Sequence, residues 1–358
     1  EHYPPATEHI DDMISLIKRL FDAGYAYKSN DGSVYFDIGK FKDYGKLAHL
    51  DKSGMRAGAR VNQDEYDKEN VVDFALWKAW SEEDGDVAWD SPWGKGRPGW
   101  HIECSAMSTR YLGESFDLHT GGIDNMFPHH ENEIAQTEAA TGKQFVKYWM
   151  HCGYLVVDGR KMSKSLGNFH TLREIIEKGY SGREVRYVLL SAHYRQELNF
   201  TFQALDAARA ALARLDEFSA RLSGDAPRDN NIPGWCSESR EKFRSALDND
   251  LNMPEALSAL FEMVHQGNKA IDTEQISPDA TAHASAVLAD FDQVLGFLGT
   301  VQEKPDATVR ELVELRRKAR QSKDWSESDR IRGKIAALGW EVRDTAEGIQ
   351  LRRLNSVR

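Results

Sequence analysis

Apolar and polar positions in the first part of the chain predict one helix and one hairpin. Between Ile10 and Phe21 the apolar residues recur at helical spacing. Residues 25–27 and 34–36 flank Asp31-Gly32, a pair that favours a hairpin turn. From there to about Asp90 the pattern indicates no regular element, and the glycines and prolines of residues 91–100 mark an ordered loop near a domain boundary.

The pattern changes to helices alternating with strands from Trp100 on. Residues 100–113 suit a helix that ends at Gly113, residues 115–120 suit a buried strand, and a further helix begins at Pro128 and ends near Gly142. Strand candidates follow at residues 145–153 and 154–157. Open α/β sheets bind ligands in glycine-bearing loops at the carboxyl ends of their strands, so the loop before Pro128 is a candidate site.

The remaining pattern is mainly helical. Thr171 and Glu174 form a capping box that opens a short helix, and residues 183–193 predict another. Apolar residues recur at helical spacing over 205–222, a polar linker covers 223–234, and further helices are predicted between residues 243 and 298. The tail from residue 302 has a basic helix pattern and a short strand pattern at residues 340–342.

Composition narrows the class of protein. The 358 residues are 41% hydrophobic and 29% charged, which allows two or three domains with cores. No apolar run could span a membrane and no signal pattern is found, so no membrane partner is expected and the cytoplasm is the expected compartment. Three scattered cysteines fit a reducing compartment. A net charge of −11 argues against nucleic-acid binding over the whole surface but permits local basic patches.

Candidate metal ligands lie at the start of the helix predicted from Pro128. His129 and Glu133 are four residues apart and therefore project from one helix face, whereas His130 points about 100° away and is better explained as a packed or hydrogen-bonded residue. A lone His-x-x-x-Glu is usually a solvated pair, but Cys104 adds the third ligand type that zinc accepts. Three ligands leave one position for a missing protein ligand, water or substrate.

Two further sequence patterns bear on the candidate chemistry. His101 and Glu103 form half of the H-x-E pattern of zinc deaminases, but the paired cysteines that complete it are absent, so this alternative is discarded. The segment KMSKSLGN, residues 161–168, places Lys161 and Lys164 on a loop where they could neutralise a phosphate leaving group. The simpler alternative for such a segment is a solvated basic patch.

These motifs together resemble a known family. KMSKS followed by LGN resembles the signature loop of class I aminoacyl-tRNA synthetases, and GRPGWHIECSAM with GGIDNMFPHHENEIAQ is similar to the cysteinyl-tRNA synthetases in particular. The resemblance extends over essentially the whole chain. It implies ATP-dependent ligation of L-cysteine to its tRNA through a cysteinyl-adenylate, with Zn²⁺ selecting the substrate thiolate and Mg²⁺ bound with ATP. The expected partners are cysteine tRNA, ATP and L-cysteine, and the expected form is a monomer.

The resemblance also implies roles for residues. Cys104, His129 and Glu133 correspond to three of the four zinc ligands, Trp100 and Asp124 to the cysteine pocket, and Lys161 and Lys164 to the ATP-binding and catalytic lysines. In the tail, the residues that correspond to anticodon-reading positions are Arg320, Trp325, Asp329 and Asp344. Residues 316–325 combine basic residues with an aromatic, which suits single-stranded nucleotides, although ordinary helix solvation with a core tryptophan is equally compatible.

The resemblance predicts an α/β fold with five regions. They are an insertion region (1–95), the second half of a Rossmann-type nucleotide-binding domain with the zinc site (96–143), the KMSKS loop with stem-contact helices (144–213), a helical bundle (214–301) and a small α+β anticodon-binding domain (302–358). The HIGH tetrapeptide of class I synthetases and the upstream cysteine ligand are not in the sequence. We therefore expect this chain alone to be inactive or impaired in adenylate formation.

Three alternatives stay open at the sequence level. The chain is expected to be a fragment of a complete enzyme, because its first helix pattern begins almost at once without an initiator methionine. A naturally truncated relative that binds tRNA without forming adenylate is the second alternative. The third is the related ligase that joins cysteine to an amino sugar in mycothiol synthesis, and residues 302–358 argue against it because that ligase lacks an anticodon-binding tail.

Overall fold

A computed structural model describes residues 1–50, 73–162, 167–222, 232–273, 276–298, 307–322, 324–338, 340–345 and 348–353. The chain divides into two compact units. Unit 1 comprises Glu1–Tyr154 together with Arg195–Glu197, and unit 2 comprises Leu155–Tyr194 and Leu198–Arg358. Within the described residues, no helix combines the length and the apolar character needed to cross a membrane.

Unit 1 begins with the predicted helix, α1 (Ile10–Asp22), which packs on a four-stranded antiparallel sheet. The strands are β1 (Ala26–Lys28), β2 (Val34–Phe36), β3 (Phe74–Ala79) and β4 (Gly96–Pro98), and they lie in the order β1-β2-β3-β4. Apolar side chains of α1 and of the sheet form the largest core of this unit. The hairpin predicted around Asp31-Gly32 is confirmed as the β1–β2 pair.

The second part of unit 1 is a strand–helix–strand arrangement. Helix α2 (Trp100–Leu112) ends at Gly113 as predicted, and strand β5 (Phe116–Gly122) follows it. Helix α3 (Glu131–Thr141), which ends at Gly142, connects β5 to β6 (Val146–Cys152). The two strands pair in parallel, so their carboxyl ends lie at the same edge. This is the part of the fold that brings the candidate ligands together.

Three sequence predictions about unit 1 differ from the structure. The region up to residue 90 is not irregular throughout, because it contains β3, whose first four residues are buried and show no alternation. The loop predicted over residues 91–100 contains the short strand β4. Residues 116–120 do lie in strand β5, but the strand is not buried, and Leu118 is 52% exposed. The burial of a strand depends on the elements that pack against the faces of its sheet.

Unit 2 begins with a three-stranded sheet of β7 (Leu155–Val157), β8 (Arg160–Lys161) and β9 (Leu198–Phe200). Strand β7 pairs antiparallel with β8 through the turn at Asp158-Gly159 and parallel with β9. Two short helices, α4 (Leu172–Glu177) and α5 (Gly182–Leu190), lie between β8 and β9 in the sequence. The capping box predicted at Thr171 and Glu174 opens α4, and α5 ends three residues before the predicted His193.

Four longer helices form the bundle of unit 2. They are α6 (Phe202–Arg221), α7 (Gly234–Asp248), α8 (Met253–Asp272) and α9 (Pro278–Leu295), and they share one core of leucine, alanine and phenylalanine side chains. A smaller module follows, made of α10 (Ala307–Gln321), α11 (Trp325–Ala337) and the hairpin of β10 (Trp340–Thr345) with β11 (Gly348–Arg353). Most of the linker predicted over residues 223–234 lies outside the described residues.

Candidate metal centre

Helix α2 carries the first candidate ligand one turn after it begins. Gly99 precedes the helix as its N-cap residue and continues directly from β4, which pairs with β3. This connection places Trp100 at the first position of α2, with 39% of its surface exposed. Cys104 lies one turn later on the same helix and is half-buried.

The turn and helix after β5 supply the other two candidate ligands. Residues Met126–His130 form a kinked turn in which Phe127 has an extended backbone (φ −137°, ψ 131°), and α3 continues from Glu131. His129 Nε2 lies 3.1 Å from Glu133 Oε1, and the two side chains are 6% and 0% exposed. Their predicted projection from one face is thus confirmed, although His129 lies in the turn before α3 and not within the helix.

The structure brings the three predicted ligands together. One ligand atom each of Cys104, His129 and Glu133 lies within 4.8 Å of the other two. A thiol, an imidazole and a carboxylate are the donor types that zinc accepts, and separations of this size allow the three atoms to surround one ion after small side-chain adjustments. The donor set therefore fits zinc.

Two neighbouring rings hold His129 in position. The Trp100 indole stacks on the His129 imidazole with ring centroids 4.3 Å apart and an angle of 23° between the planes. His101 is buried, and its Nδ1 lies 2.9 Å from Nδ1 of His129. A ligand histidine usually hydrogen-bonds through the nitrogen that does not face the metal, so His101 is an outer partner of His129. In the sequence, His101 is part only of the discarded deaminase pattern, so this role was not predicted.

A second set of histidines meets Glu133 from the opposite side. Ligand atoms of His119, His130 and Glu133 also lie within 4.8 Å of one another, and His119 Nε2 is 3.0 Å from Glu133 Oε2. His130 Nδ1 lies 2.8 Å from His151 Nε2, in agreement with its interpretation as a hydrogen-bonded residue. A side chain at Gly121 would meet the His130 ring at 2.5 Å, so glycine is needed there for the ring to fit.

Burial and hydrogen bonding set the charge states around this cluster. Burial alone would raise the pKa of Glu133, but hydrogen bonds from His119 and His129 outweigh it and lower this pKa to about 2. Burial lowers the pKa of both His101 and His130 to about 3. Burial, assisted by the negative charges of Glu133 and Glu103, raises the pKa of Cys104 to about 12. A metal ion that binds this thiol must therefore displace its proton.

The remaining residues expected around the active site lie in different units. Asp124, expected in the amino-acid pocket, is exposed in a short turn (Ile123–Asn125) directly after β5 in unit 1. Lys161 is exposed at the end of β8 in unit 2. Its carbonyl accepts a hydrogen bond of 3.1 Å from Asn168 Nδ2, which spans the base of the KMSKS loop. Lys164 lies outside the described residues.

The residues expected to read the anticodon lie in the C-terminal module of unit 2. Trp325 begins α11 with 56% of its surface exposed, and Arg320 Cζ at the end of α10 is 5.4 Å from the Trp325 ring centroid. Asp329 is exposed on α11, and Asp344 lies on β10 opposite Ile349. The alternative of a core tryptophan is therefore wrong for Trp325, because more than half of the residue is accessible.

Comparison with known families assigns three regions of the chain. Residues 1–210 match the family described as tRNA synthetases class I (C) catalytic domain. Residues 242–299 match the DALR domain, and residues 304–352 match the cysteinyl-tRNA ligase anticodon binding domain. The candidate ligands fall within the first match, and Trp325 falls within the third.

Curated relatives and a solved structure agree with these matches. The cysteine–tRNA ligase of Chlamydia muridarum is 46% identical over 365 residues, a stretch that covers 98% of this chain and 77% of the relative. That of Chlamydia pneumoniae is 48% identical over 360 residues, covering 99% and 76%. The methionyl-tRNA synthetase of Mycobacterium tuberculosis, solved in complex with methionyl-adenylate, has a similar fold, with a TM-score of 0.54 and 17% sequence identity. The superposition covers 83% of this chain and 73% of that chain. The chain is thus a member of the cysteinyl-tRNA synthetase family, with the mixed α/β architecture of class I.

Proposed function

We propose that this protein joins L-cysteine to cysteine tRNA and selects its amino acid through a zinc ion held by Cys104, His129 and Glu133. The single observation that carries this proposal is the convergence of a thiol, an imidazole and a carboxylate within 4.8 Å. The relatives named cysteine–tRNA ligase support the reaction, and the donor set supports the metal. The three free cysteines support the cytoplasm as the compartment.

The amino-acid pocket would lie beside the metal ligands. Zinc, when bound, supplies a Lewis acid that accepts a thiolate and not a serine hydroxyl, which separates two amino acids that differ by one atom. The exposed indole of Trp100, stacked on His129, offers an apolar wall next to the ligands. The exposed carboxylate of Asp124, at the carboxyl end of β5, would accept hydrogen bonds from the substrate ammonium.

ATP chemistry would use the loop that follows β8. In the proposed reaction the cysteine carboxylate attacks the α-phosphate of ATP, and pyrophosphate leaves. A ribose hydroxyl of the terminal tRNA adenosine then attacks the carbonyl carbon of the cysteinyl-adenylate and takes the aminoacyl group, and AMP leaves. The ammonium groups of Lys161 and Lys164 would stabilise the charge that develops on pyrophosphate, and Mg²⁺ would accompany the nucleotide. Asn168 Nδ2 donates a hydrogen bond to the carbonyl of Lys161, the first residue of the KMSKS motif.

The C-terminal module would bind the tRNA. An exposed tryptophan beside an arginine provides a stacking surface and a positive charge, which together suit an unpaired base and its phosphate. The match of residues 304–352 with an anticodon binding domain favours tRNA over an amino sugar as the acceptor. Aminoacylation assays with the two acceptors would test this choice, and transfer to the amino sugar alone would contradict it.

Metal analysis is the direct test of the proposed function. We expect the purified protein to contain zinc, and we expect Cys104→Ser and His129→Ala to weaken zinc binding by more than the roughly 10–100-fold that loss of an outer partner costs. Cys152→Ser is the matched control, because Cys152 is an exposed cysteine at the end of β6 and outside the ligand set. Zinc content at the parental level in all three variants would refute the ligand assignment.

Adenylate formation is measured separately. Because this chain alone is expected to be inactive or impaired in adenylate formation, the assay uses the full-length enzyme. Cysteine-dependent exchange of pyrophosphate into ATP reports whether that enzyme forms cysteinyl-adenylate, and absence of exchange in its zinc-loaded form would favour a tRNA-binding relative without that activity. In the full-length enzyme, Lys164→Ala should depress the exchange rate while cysteine binding stays nearly unchanged, because the lysine is proposed to act on pyrophosphate and not on the amino acid. An equal loss of both would contradict the role given to the loop.

A further inference from the structure

The two oxygens of the buried Glu133 carboxylate face different histidines. Oε1 lies 3.1 Å from Nε2 of His129, one of the three proposed ligands. Oε2 lies 3.0 Å from Nε2 of His119, which comes from β5 and not from the helix that carries Glu133. The carboxylate has no exposed surface, so these neighbours define its orientation.

His119 is itself held in place. Its ring stacks on the Trp149 indole of β6, with centroids 4.6 Å apart and an angle of 24° between the planes. It also lies 4.7 Å, centroid to centroid, from the His130 ring. The His130 and Trp149 rings also contact each other, with centroids 4.9 Å apart, so the three rings form one packed cluster. A side chain packed against both rings has little freedom to turn, so Nε2 stays directed at Glu133.

The chemistry of the contact fixes which atom carries the hydrogen. An ionised carboxylate only accepts hydrogen bonds, so His119 Nε2 must carry a hydrogen and donate it to Glu133 Oε2. A nitrogen that carries this hydrogen cannot ligate a metal at the same time. The contact therefore leaves Oε1 as the oxygen of Glu133 that is available to an ion beside Cys104 and His129.

We infer that His119 is a positioning residue, which restrains Oε2 of Glu133 so that the carboxylate ligates zinc through Oε1 alone. The inference rests on the proposed function, because it concerns the same ligand set. Outer hydrogen bonds of this kind orient ligands and raise metal affinity. Three ligands of defined direction would leave the other side of the ion open to the fourth protein ligand that the resemblance implies and to the substrate sulfur.

A second divalent cation between His119, His130 and Glu133 is the competing arrangement. It would require His119 Nε2 to lose its hydrogen and both oxygens of Glu133 to ligate. The two sets together contain only two groups that can become negative, Cys104 and Glu133, against the four positive charges of two cations. Charge balance in a buried site therefore favours the hydrogen bond over the second ion.

Cobalt-substituted protein tests the inference, because the visible absorption of Co²⁺ responds to its ligands. We expect His119→Leu to weaken Co²⁺ and Zn²⁺ binding by about 10–100-fold and to change the visible bands. His119→Gln keeps an N–H donor and should stay within a few-fold of the parent in affinity with similar bands. His265→Leu, an exposed histidine on α8, should match the parent in every measurement.

The possible outcomes separate the inference from the proposed function. The positioning role would be overturned if His119→Leu kept the metal affinity and the visible bands of the parent. It would also be overturned if the Leu and Gln variants lost metal affinity equally. Two ions per chain in the parent, with one lost in His119→Leu, would establish the competing cation site. A parent that binds no metal at all would instead refute the proposed zinc chemistry. Unfolding temperatures of the variants, measured without metal, show whether a loss of affinity reflects misfolding.

Discussion

Gly99 shows how closely the backbone is packed next to the candidate site. A Cβ at this position would lie 2.0 Å from the Ala75 carbonyl oxygen, which belongs to β3 and cannot turn aside as a side chain can. We expect Gly99→Ala to lower the free energy of unfolding by about 1–3 kcal/mol, as overpacking does elsewhere, and to reduce zinc occupancy because Trp100 would shift. Denaturant unfolding and metal analysis measure the two effects.

Gly182→Ala is the matched control for that substitution. Gly182 begins α5, and a Cβ there would meet no atom within 4 Å. Alanine restricts the unfolded chain and favours a helix, so this variant should be as stable as the parent or slightly more stable. Equal stability of the two alanine variants would show that the β3 backbone adjusts to the added methyl group.

At the residue scale the sequence predicted the ligands that are linked by spacing and chemistry. His129 and Glu133 are four residues apart, and Cys104 supplies the matching donor type. His119 and His151 were missed because they lie on strands, and no local spacing connects them with α3. Their position near the carboxyl ends of two parallel strands is the one sequence feature that could have indicated them, since such ends meet at one edge.

At the element scale, one buried carboxylate fastens a distant segment to the start of α3. Glu131 is fully buried and accepts hydrogen bonds from the backbone N–H groups of Gly45, Leu47 and Ala48 at 2.7–3.0 Å. It stands between the ligands His129 and Glu133 in the sequence. These bonds therefore fix the first turn of the helix that carries the metal ligand.

Glu131→Ala should be strongly destabilising, because it leaves three backbone donors without their acceptor. Each unsatisfied buried donor costs roughly 1–3 kcal/mol, and partial access of water reduces the sum, so we expect a loss of about 3 kcal/mol in the free energy of unfolding. Glu131→Gln should also lose stability, since an amide NH₂ would face N–H donors. Glu83→Ala is the control, because Glu83 is exposed. If all three variants changed the free energy of unfolding by an equally small amount, the role of Glu131 would be contradicted.

A second carboxylate links the loop before β4 to that strand. Asp84 accepts a hydrogen bond of 2.8 Å from Arg97 Nε on β4 and one of 2.9 Å from the backbone N–H of Ser81. The hydrogen bond from Arg97 makes the larger contribution and that from Ser81 the smaller one. Together they lower the pKa of Asp84 from 3.8 to about 2. The pKa of Asp84 is therefore lower in the folded than in the unfolded protein. Because of this difference, the bonds stabilise the folded protein above about pH 4, and the stabilisation is lost as the pH falls toward 2.

The measurement compares the parent with Asp84→Asn at several pH values. The difference in their free energies of unfolding should be largest near pH 5 and above, and it should shrink as the pH is lowered toward 2. High salt should also reduce the difference, because the pair lies near the surface. A difference that does not change with pH would show that the carboxylate charge contributes nothing.

At the element scale, helices were predicted better than strands. Helices α1, α2 and α6 have apolar residues at regular spacing or a clear end signal, and their bounds agree with the prediction within a few residues. Strand β3 was missed because it is buried on both faces and so lacks alternation. The burial of β5 was predicted wrongly because it depends on the elements that pack against the sheet faces, which the residues of the strand alone do not reveal.

At the scale of the whole molecule, the metal ligands and the exposed tryptophan belong to different units. Cys104, His129 and Glu133 lie in unit 1, whereas Trp325 lies in unit 2. We expect Trp325→Ala to weaken tRNA binding by about 1–3 kcal/mol, the usual contribution of a stacked base, and to leave zinc content unchanged. Filter binding at a fixed salt concentration, together with metal analysis, measures both.

Leu315→Ala serves as the control for the tryptophan substitution. Leu315 is an exposed apolar residue on α10 in the same C-terminal module. Its replacement removes apolar surface without removing an aromatic ring, so tRNA affinity should stay close to that of the parent. Similar losses in the two variants would indicate a general effect on the module and not base stacking.

The order of the two units along the chain limits how the protein can be dissected genetically. The polypeptide leaves unit 1 after Tyr154, returns to it for Arg195–Glu197, and leaves again. A stop codon after Tyr154 would keep every proposed metal ligand but delete three residues of the same unit. A recombinant version of unit 1 therefore requires an internal deletion, in which a designed linker replaces residues 155–194 and the reading frame ends after Glu197.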